Sequence, residues 1–276
     1  MATFRYVVAD VFTDVPLAGN QLAVFADARA IPDDQLQPLA RELNLAETVF
    51  VYPATGEGHA HIRIFTPTLE LPFAGHPVLG TAFVLGGPLQ LDELWLETGA
   101  GVVPVRLERD GSRIVFGWMR QPPFPFEPYD RAEELLALLG VEESGLPVEL
   151  YRQGPGHVLI ELGSPEAVAA LRPDFGALLE LNPYGTSCFA RDGEHWKARV
   201  FVPAHGVPED PATGSAAGPL ALHLARHGRI GFGDEIEIRQ GVEIGRPSTL
   251  YAVARSAEEV EVGGSAVVVA RGEFRL

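Results

Sequence analysis

The chain has 276 residues, 46% of them hydrophobic and 21% charged, with 37 acidic against 21 basic residues and a formal net charge of −16. This is enough apolar matter for one large or two modest folded units, and it excludes a disordered chain. A surface this acidic repels phosphate backbones and anionic membrane faces, so nucleic-acid and membrane-surface functions are set aside. The single cysteine, Cys188, excludes an internal disulfide, a catalytic thiol pair and a Cys-rich zinc site. No basic stretch followed by an apolar core opens the sequence, and no apolar run approaches a membrane span. The expectation is a soluble protein of the cytoplasm.

In chain order, strand-like apolar runs fall at 6–12, 22–25, 48–52, 61–65, 94–97, 102–107 and 114–118. Helical spacing appears at 32–43, 77–85, 131–139, 165–171 and 216–227. Many strands with a few interspersed helices predict an α+β protein rather than a regular βαβ ladder. A dinucleotide fold is disfavoured, because Gly154-Pro-Gly156 lacks the third glycine of that fingerprint.

The sequence repeats itself. Arg63-Ile-Phe65-Thr-Pro67 returns as Arg199-Val-Phe201-Val-Pro203 at an offset of 136. Ala18-Gly19-Asn20 resembles Pro155-Gly156-His157 at an offset of 137, and Gly75-His76-Pro77 matches Gly214-Ser215-Ala216 at 139. Drifting offsets are what loop insertions in a duplicated unit produce. The predicted division is 1–117 for the first lobe and 118–262 for the second, with 263–276 crossing back to complete the first. That final segment shows no counterpart in the first half. Two similar lobes create a cleft, the usual place for a small-molecule site.

Two segments carry the chemistry, each a glycine loop running into a helix: Leu71-Pro-Phe-Ala-Gly-His-Pro77 and Glu209-Asp-Pro-Ala-Thr-Gly-Ser-Ala-Ala-Gly218. Gly75 and Gly214 let the backbone approach a ligand, and two facing helix N-termini form a cage for a carboxylate or enolate. His76 and Ser215 occupy matching places at the helix starts, and Asp210 lies just before the second loop. If the lobes face each other these side chains converge, giving a carboxylate, an imidazole and a hydroxyl suited to proton transfer. Asp210 and Ser215 are equally compatible with capping their helix. Pro219 fits the second helix only within its first turn. On composition alone Glu47 reads as a solvated strand end.

Other chemistries fit less well. A thiol racemase needs a cysteine at each helix start, where His76 and Ser215 stand; Cys188 reads as a buried apolar residue. The Gly214–Gly218 run is not a nucleophile elbow, which disfavours a serine hydrolase. His223 and His227 are four apart on a helix, with no intervening glutamate and no third ligand in view, so no metal site is expected.

Taken together, Asp14-Val-Pro-Leu-Ala-Gly-Asn20, Glu47-Thr-Val-Phe-Val51, the two glycine loops and Gln240-Gly…Gly245-Arg-Pro247 resemble the PhzF-like isomerases of phenazine biosynthesis. The matches run in order through nearly the whole chain. The resemblance implies the diaminopimelate epimerase-like fold: two lobes, each a barrel-like sheet around a central helix, with the site between them. It also implies a homodimer, no cofactor, and a hydrogen shift within trans-2,3-dihydro-3-hydroxyanthranilate. Carried over by position, it makes Glu47, Asp210, His76 and Ser215 catalytic and gives Asn20, Gly75 and Gly214 to substrate binding. Partial burial is expected to strengthen Glu47 as a base. Isomerisation or epimerisation of another small amino or cyclic acid, and a non-catalytic carboxylate-binding or scaffold homodimer, remain open readings.

Overall fold

The computed structural model describes residues 2–276. The first half contributes β1 (Thr3–Val11), β2 (Asn20–Phe25), α1 (Asp33–Leu43), β3 (Glu47–Pro53), β4 (Ala60–Phe65), β5 (Glu70–Leu71), α2 (Gly75–Leu89), β6 (Glu93–Thr98), β7 (Gly101–Asp110) and β8 (Arg113–Arg120). There follow β9 (Phe126–Pro128), α3 (Ala132–Leu139), β10 (Glu149–Tyr151), β11 (His157–Glu161), α4 (Pro165–Ala170), α5 (Phe175–Leu181), β12 (Gly185–Asp192) and β13 (His195–Val202). The chain ends with β14 (Val207–Asp210), α6 (Gly214–Arg226), β15 (Glu235–Gln240), β16 (Ser248–Ala254), β17 (Val260–Gly264) and β18 (Ala266–Arg275).

Strand pairing is palindromic. In the first half β18, β1 and β2 are antiparallel neighbours, β2 runs parallel to β3, and β4 lies antiparallel to β3 but parallel to β6, after which β7 and β8 follow antiparallel. In the second half β9, β10, β11, β12, β13, β15, β16 and β17 repeat that order and those directions. The halves join where β8 pairs antiparallel with β17, Gly117 opposite Gly264 and Arg120 opposite Glu261.

The palindrome corrects one expectation. The tail does have a counterpart: β9, which follows β8 in the chain and pairs with β10 just as β18 follows β17 and pairs with β1. Each half therefore lends its last strand to the other. β9 is three residues long, follows Pro122, Pro123 and Pro125, and is exposed throughout, so it carries no alternating apolar pattern to read.

Each sheet wraps one helix. The first eight residues of α2 are all buried, as is α6 from Gly214 to Ala225, because both helices are apolar nearly all round. β7 buries Val103, Val105 and Leu107 on one face and leaves the alternate residues at the surface. Helix α1 lies outside the first sheet, with Leu36, Leu39 and Ala40 against Phe25, Phe50 and Phe65. Among the described residues no helix is long and apolar enough to cross a membrane.

The duplication extends to side chains. Arg63 pairs with Glu70 at 2.7 Å and stacks over Phe65, while Arg199 pairs with Glu209 at 2.7 Å and stacks over Phe201. These pairs pin β5 and β14, the short strands that lead into the two central helices.

Candidate active site

The N-termini of α2 and α6 meet end to end. A methyl group placed on Gly75 would come within 2.8 Å of Gly214 Cα and 2.9 Å of Ser215 N, so only glycine allows this approach. Beside the junction a small cavity is lined by Glu47, His76, Asp210, Ser215, Gly75 and Gly214, together with His157, His205, Thr213 and several apolar residues. Six of the seven residues expected from sequence thus face one cavity.

The seventh, Asn20, is fully buried and does not line the cavity. Its amide nitrogen donates to Asp210 Oδ1 at 2.8 Å and to the Ala212 carbonyl at 2.9 Å, and lies 3.1 Å from His76 Nδ1. Two amide hydrogens serve the two shorter contacts, leaving His76 free to hold a proton on either nitrogen. Asn20 thus braces Asp210 and His76 from behind the cavity, and its side-chain oxygen has no hydrogen-bond partner among the described residues. The loop leading into Asn20 is fixed in turn by Arg246, which donates to the carbonyls of Leu17, Ala18 and Gly19 and to Asp10.

On the cavity side His76 Nε2 lies 3.0 Å from Glu47 Oε2, an ion contact out of line for a hydrogen bond. Burial opposes charging of His76, yet the carboxylates of Glu47 and Asp210 outweigh it and hold its pKa above the ordinary value. Asp210 is the carboxyl that burial lifts: desolvation and the charge of Glu47 push it to about 6, against His76, Thr213 and Asn20. Thr213 donates to Asp210 Oδ2 at 2.6 Å, and Gln240 secures both Thr213 Oγ1 and the Asp210 carbonyl.

The second half contributes a matching pair. His157 opens β11 as Asn20 opens β2, and its Nε2 lies 2.9 Å from Ser215 Oγ, the place His76 holds in α2. Burial and the neighbouring His205 depress the pKa of His157 to about 3, so the ring is neutral. Its Nδ1 is enclosed without a partner among the described residues. A proton there would be an orphaned buried donor, so the proton sits on Nε2 and is given to Ser215, whose own hydroxyl hydrogen is left to donate into the cavity. His157 and His205 were missed as site residues, although the offset of 137 had already aligned His157 with Asn20.

Pro219 departs from expectation. It is the sixth residue of α6, beyond the first turn, and removes the N–H that would bond the Ser215 carbonyl. The first turn instead closes on the Thr213 carbonyl, which accepts from Ala216 and Ala217, while Gln121 donates to the Gly214 carbonyl. Pro77 lies in the first turn of α2, where its missing N–H costs nothing.

Two other groups lie away from this cavity. Glu149 joins His223 and His227, a third residue that the spacing did not reveal. Its carboxylate already has a positive partner in Arg226 at 2.6 Å and accepts from Tyr151 at 2.9 Å, which reads as a structural network. Cys188 is fully buried in β12, and burial pushes its thiol up to about 12.

The sequence and the fold have known counterparts. A trans-2,3-dihydro-3-hydroxyanthranilate isomerase of Pseudomonas aeruginosa is 52% identical to this chain over 99% of both. The crystal structure of a PhzF-family phenazine biosynthesis protein from Bacillus anthracis superposes with a TM-score of 0.82 at 25% identity, covering 100% of each chain. A hydroxyproline epimerase of Agrobacterium vitis shares the fold, with a TM-score of 0.71 at 14% identity over 98% of this chain and 92% of that one. The family model described as phenazine biosynthesis-like protein matches residues 9–272, and with these likenesses the chain belongs to the PhzC-PhzF family.

Proposed function

We propose that the protein is a cofactor-independent isomerase that moves a proton within trans-2,3-dihydro-3-hydroxyanthranilate, the substrate named for its 52%-identical relative. The observation that carries this reading is the pair of carboxyl groups, Glu47 and Asp210, linked through His76 and Asn20 beside two abutting helix N-termini.

The substrate's own bonding explains why this set suffices. Two conjugated double bonds run from the carboxylate-bearing carbon toward the hydroxyl-bearing one. Loss of the hydrogen on the hydroxyl carbon sends an electron pair through the diene to the carboxylate. A proton then adds at the carboxylate-bearing carbon, and the remaining enol becomes a ketone. Over both steps one C–H and one O–H bond break and two C–H bonds form, with no net redox change. Glu47 takes the proton, with His76 3.0 Å away beside it. Asp210, titrating near 6, exchanges a proton with this pair close to neutral pH. The substrate carboxylate gathers charge where the N–H groups of Gly75 and Gly214 and the Ser215 hydroxyl can stabilise it.

In this reading residues 1–117 with 263–276 form one lobe and 118–262 the other, and the working form is a homodimer. An exposed groove carrying Val15, Val242 and Pro247 supplies apolar surface for such contact. Light scattering should give twice the 29.7 kDa of one chain.

Proton NMR of the purified protein with the named compound tests the activity. Conversion to an isomer of unchanged mass is expected. Binding without conversion would leave a carboxylate-binding protein in its place.

A further inference from the structure

The two copies of the repeat differ in length at one point beside the cavity. From Pro67 to Glu70 is three residues, whereas from Pro203 to its equivalent, Glu209, is six. The extra residues form a short 3-10 turn, Pro203–His205, closed by Gly206 in a left-handed conformation at φ 83°. The insertion brings His205 and Val207 to the cavity wall. It also abuts the first lobe, since a methyl group on Gly206 would lie 3.1 Å from the Thr68 side chain.

Both ring nitrogens of His205 are shut off from solvent and have no hydrogen-bond partner among the described residues. Enclosed polar atoms are nearly always satisfied, so a pair of them on a cavity wall indicates a ligand that supplies the partner. Burial lowers the His205 pKa despite the nearby charge of Glu47, so the ring is neutral and offers one N–H and one lone pair.

We propose that the inserted turn is the specificity element of this site and that His205 recognises the hydroxyl group of the substrate. The assignment rests on the reading of the site given above. The substrate carboxylate belongs to the helix N-termini, and an amino group is served better by the carboxylates of Glu47 and Asp210 than by an uncharged ring. The hydroxyl is the substituent left for a neutral imidazole. The lone-pair nitrogen of the neutral ring can accept from that hydroxyl.

Calorimetric binding of 3-hydroxyanthranilate and of anthranilate tests this, because the two differ only in the hydroxyl. The wild type is expected to prefer the hydroxylated compound about tenfold, the effect of one hydrogen bond plus the cost of leaving its partner unpaired. In His205→Ala the preference should vanish while anthranilate binds as before, and His205→Gln should restore part of it. A preference that survives in His205→Ala overturns the proposal and leaves the isomerase reading standing. An equal loss for both ligands, with His205→Gln no better, also overturns it, since that marks a structural role. Wild type binding neither compound would overturn both.

Discussion

Leu71 and Asp210 occupy the same position in the two halves of the molecule: Leu71 pairs with Ile64 across its hairpin, and Asp210 with Val200 across the equivalent one. Glu47, first residue of β3, corresponds likewise to Gly185, first residue of β12. Each half thus supplies one acid where its partner has a residue that cannot titrate. The scaffold is symmetric and the proposed acid/base set is not, which suits a reaction that takes a proton from one carbon and returns it to another.

The lifted pKa of Asp210 makes stability depend on pH with a definite sign. A carboxyl at about 6 in the folded chain, against an ordinary value of 3.8, binds its proton more tightly in the native state. Its contribution therefore favours folding at low pH, falls as pH rises from about 4 to about 6, and is level above. The loss is on the order of 3 kcal/mol. Urea unfolding across this window should show a flatter pH profile for Asp210→Asn than for wild type.

Contact between the helix ends predicts an order of severity. A methyl on Gly75 meets backbone atoms of Gly214 at 2.7 and 2.8 Å, while one on Gly214 meets Phe12 and Gly75 at 3.0 and 3.1 Å. Gly75→Ala should cost about 1–3 kcal/mol and Gly214→Ala less. Both should weaken carboxylate binding by parting the two N-termini. Thermal unfolding and calorimetry on the same samples check the ranking.

The duplicated ion pairs form an internal comparison. Arg199 and Glu209 are each 6% exposed, against 27% and 42% for Arg63 and Glu70. Arg199 also donates to the carbonyls of Val168, Ala169 and Leu171, so losing Glu209 leaves it partly satisfied. Glu209→Gln should therefore cost about 3 kcal/mol, while Glu70→Gln should cost about 0–1 kcal/mol. Differential scanning calorimetry should separate the two by several degrees.

Much of this was legible in the sequence because the duplication printed it twice. The repeated Arg-x-Phe-x-Pro segments and the two glycine loops located both helix starts, and the drifting offset marked the insertion that carries His205. Direction and distance were not legible. Asn20 opens its strand, but only tertiary packing sets its side chain against Asp210 and His76. The same holds for Glu149, which packs against His223 of α6 from 74 residues away in the chain. β9 escaped notice because a three-residue edge strand among prolines has no period.

Glu47 as the base is the central claim, and isotope transfer in D₂O tests it most directly. Wild type with trans-2,3-dihydro-3-hydroxyanthranilate should lose the hydrogen of the hydroxyl-bearing carbon and gain deuterium at the carboxylate-bearing carbon. Glu47→Gln, with the fold intact and ligand still bound, should slow this by about 10²-fold or more. Equal label transfer by the mutant would contradict the account and remove Glu47 from the proton path.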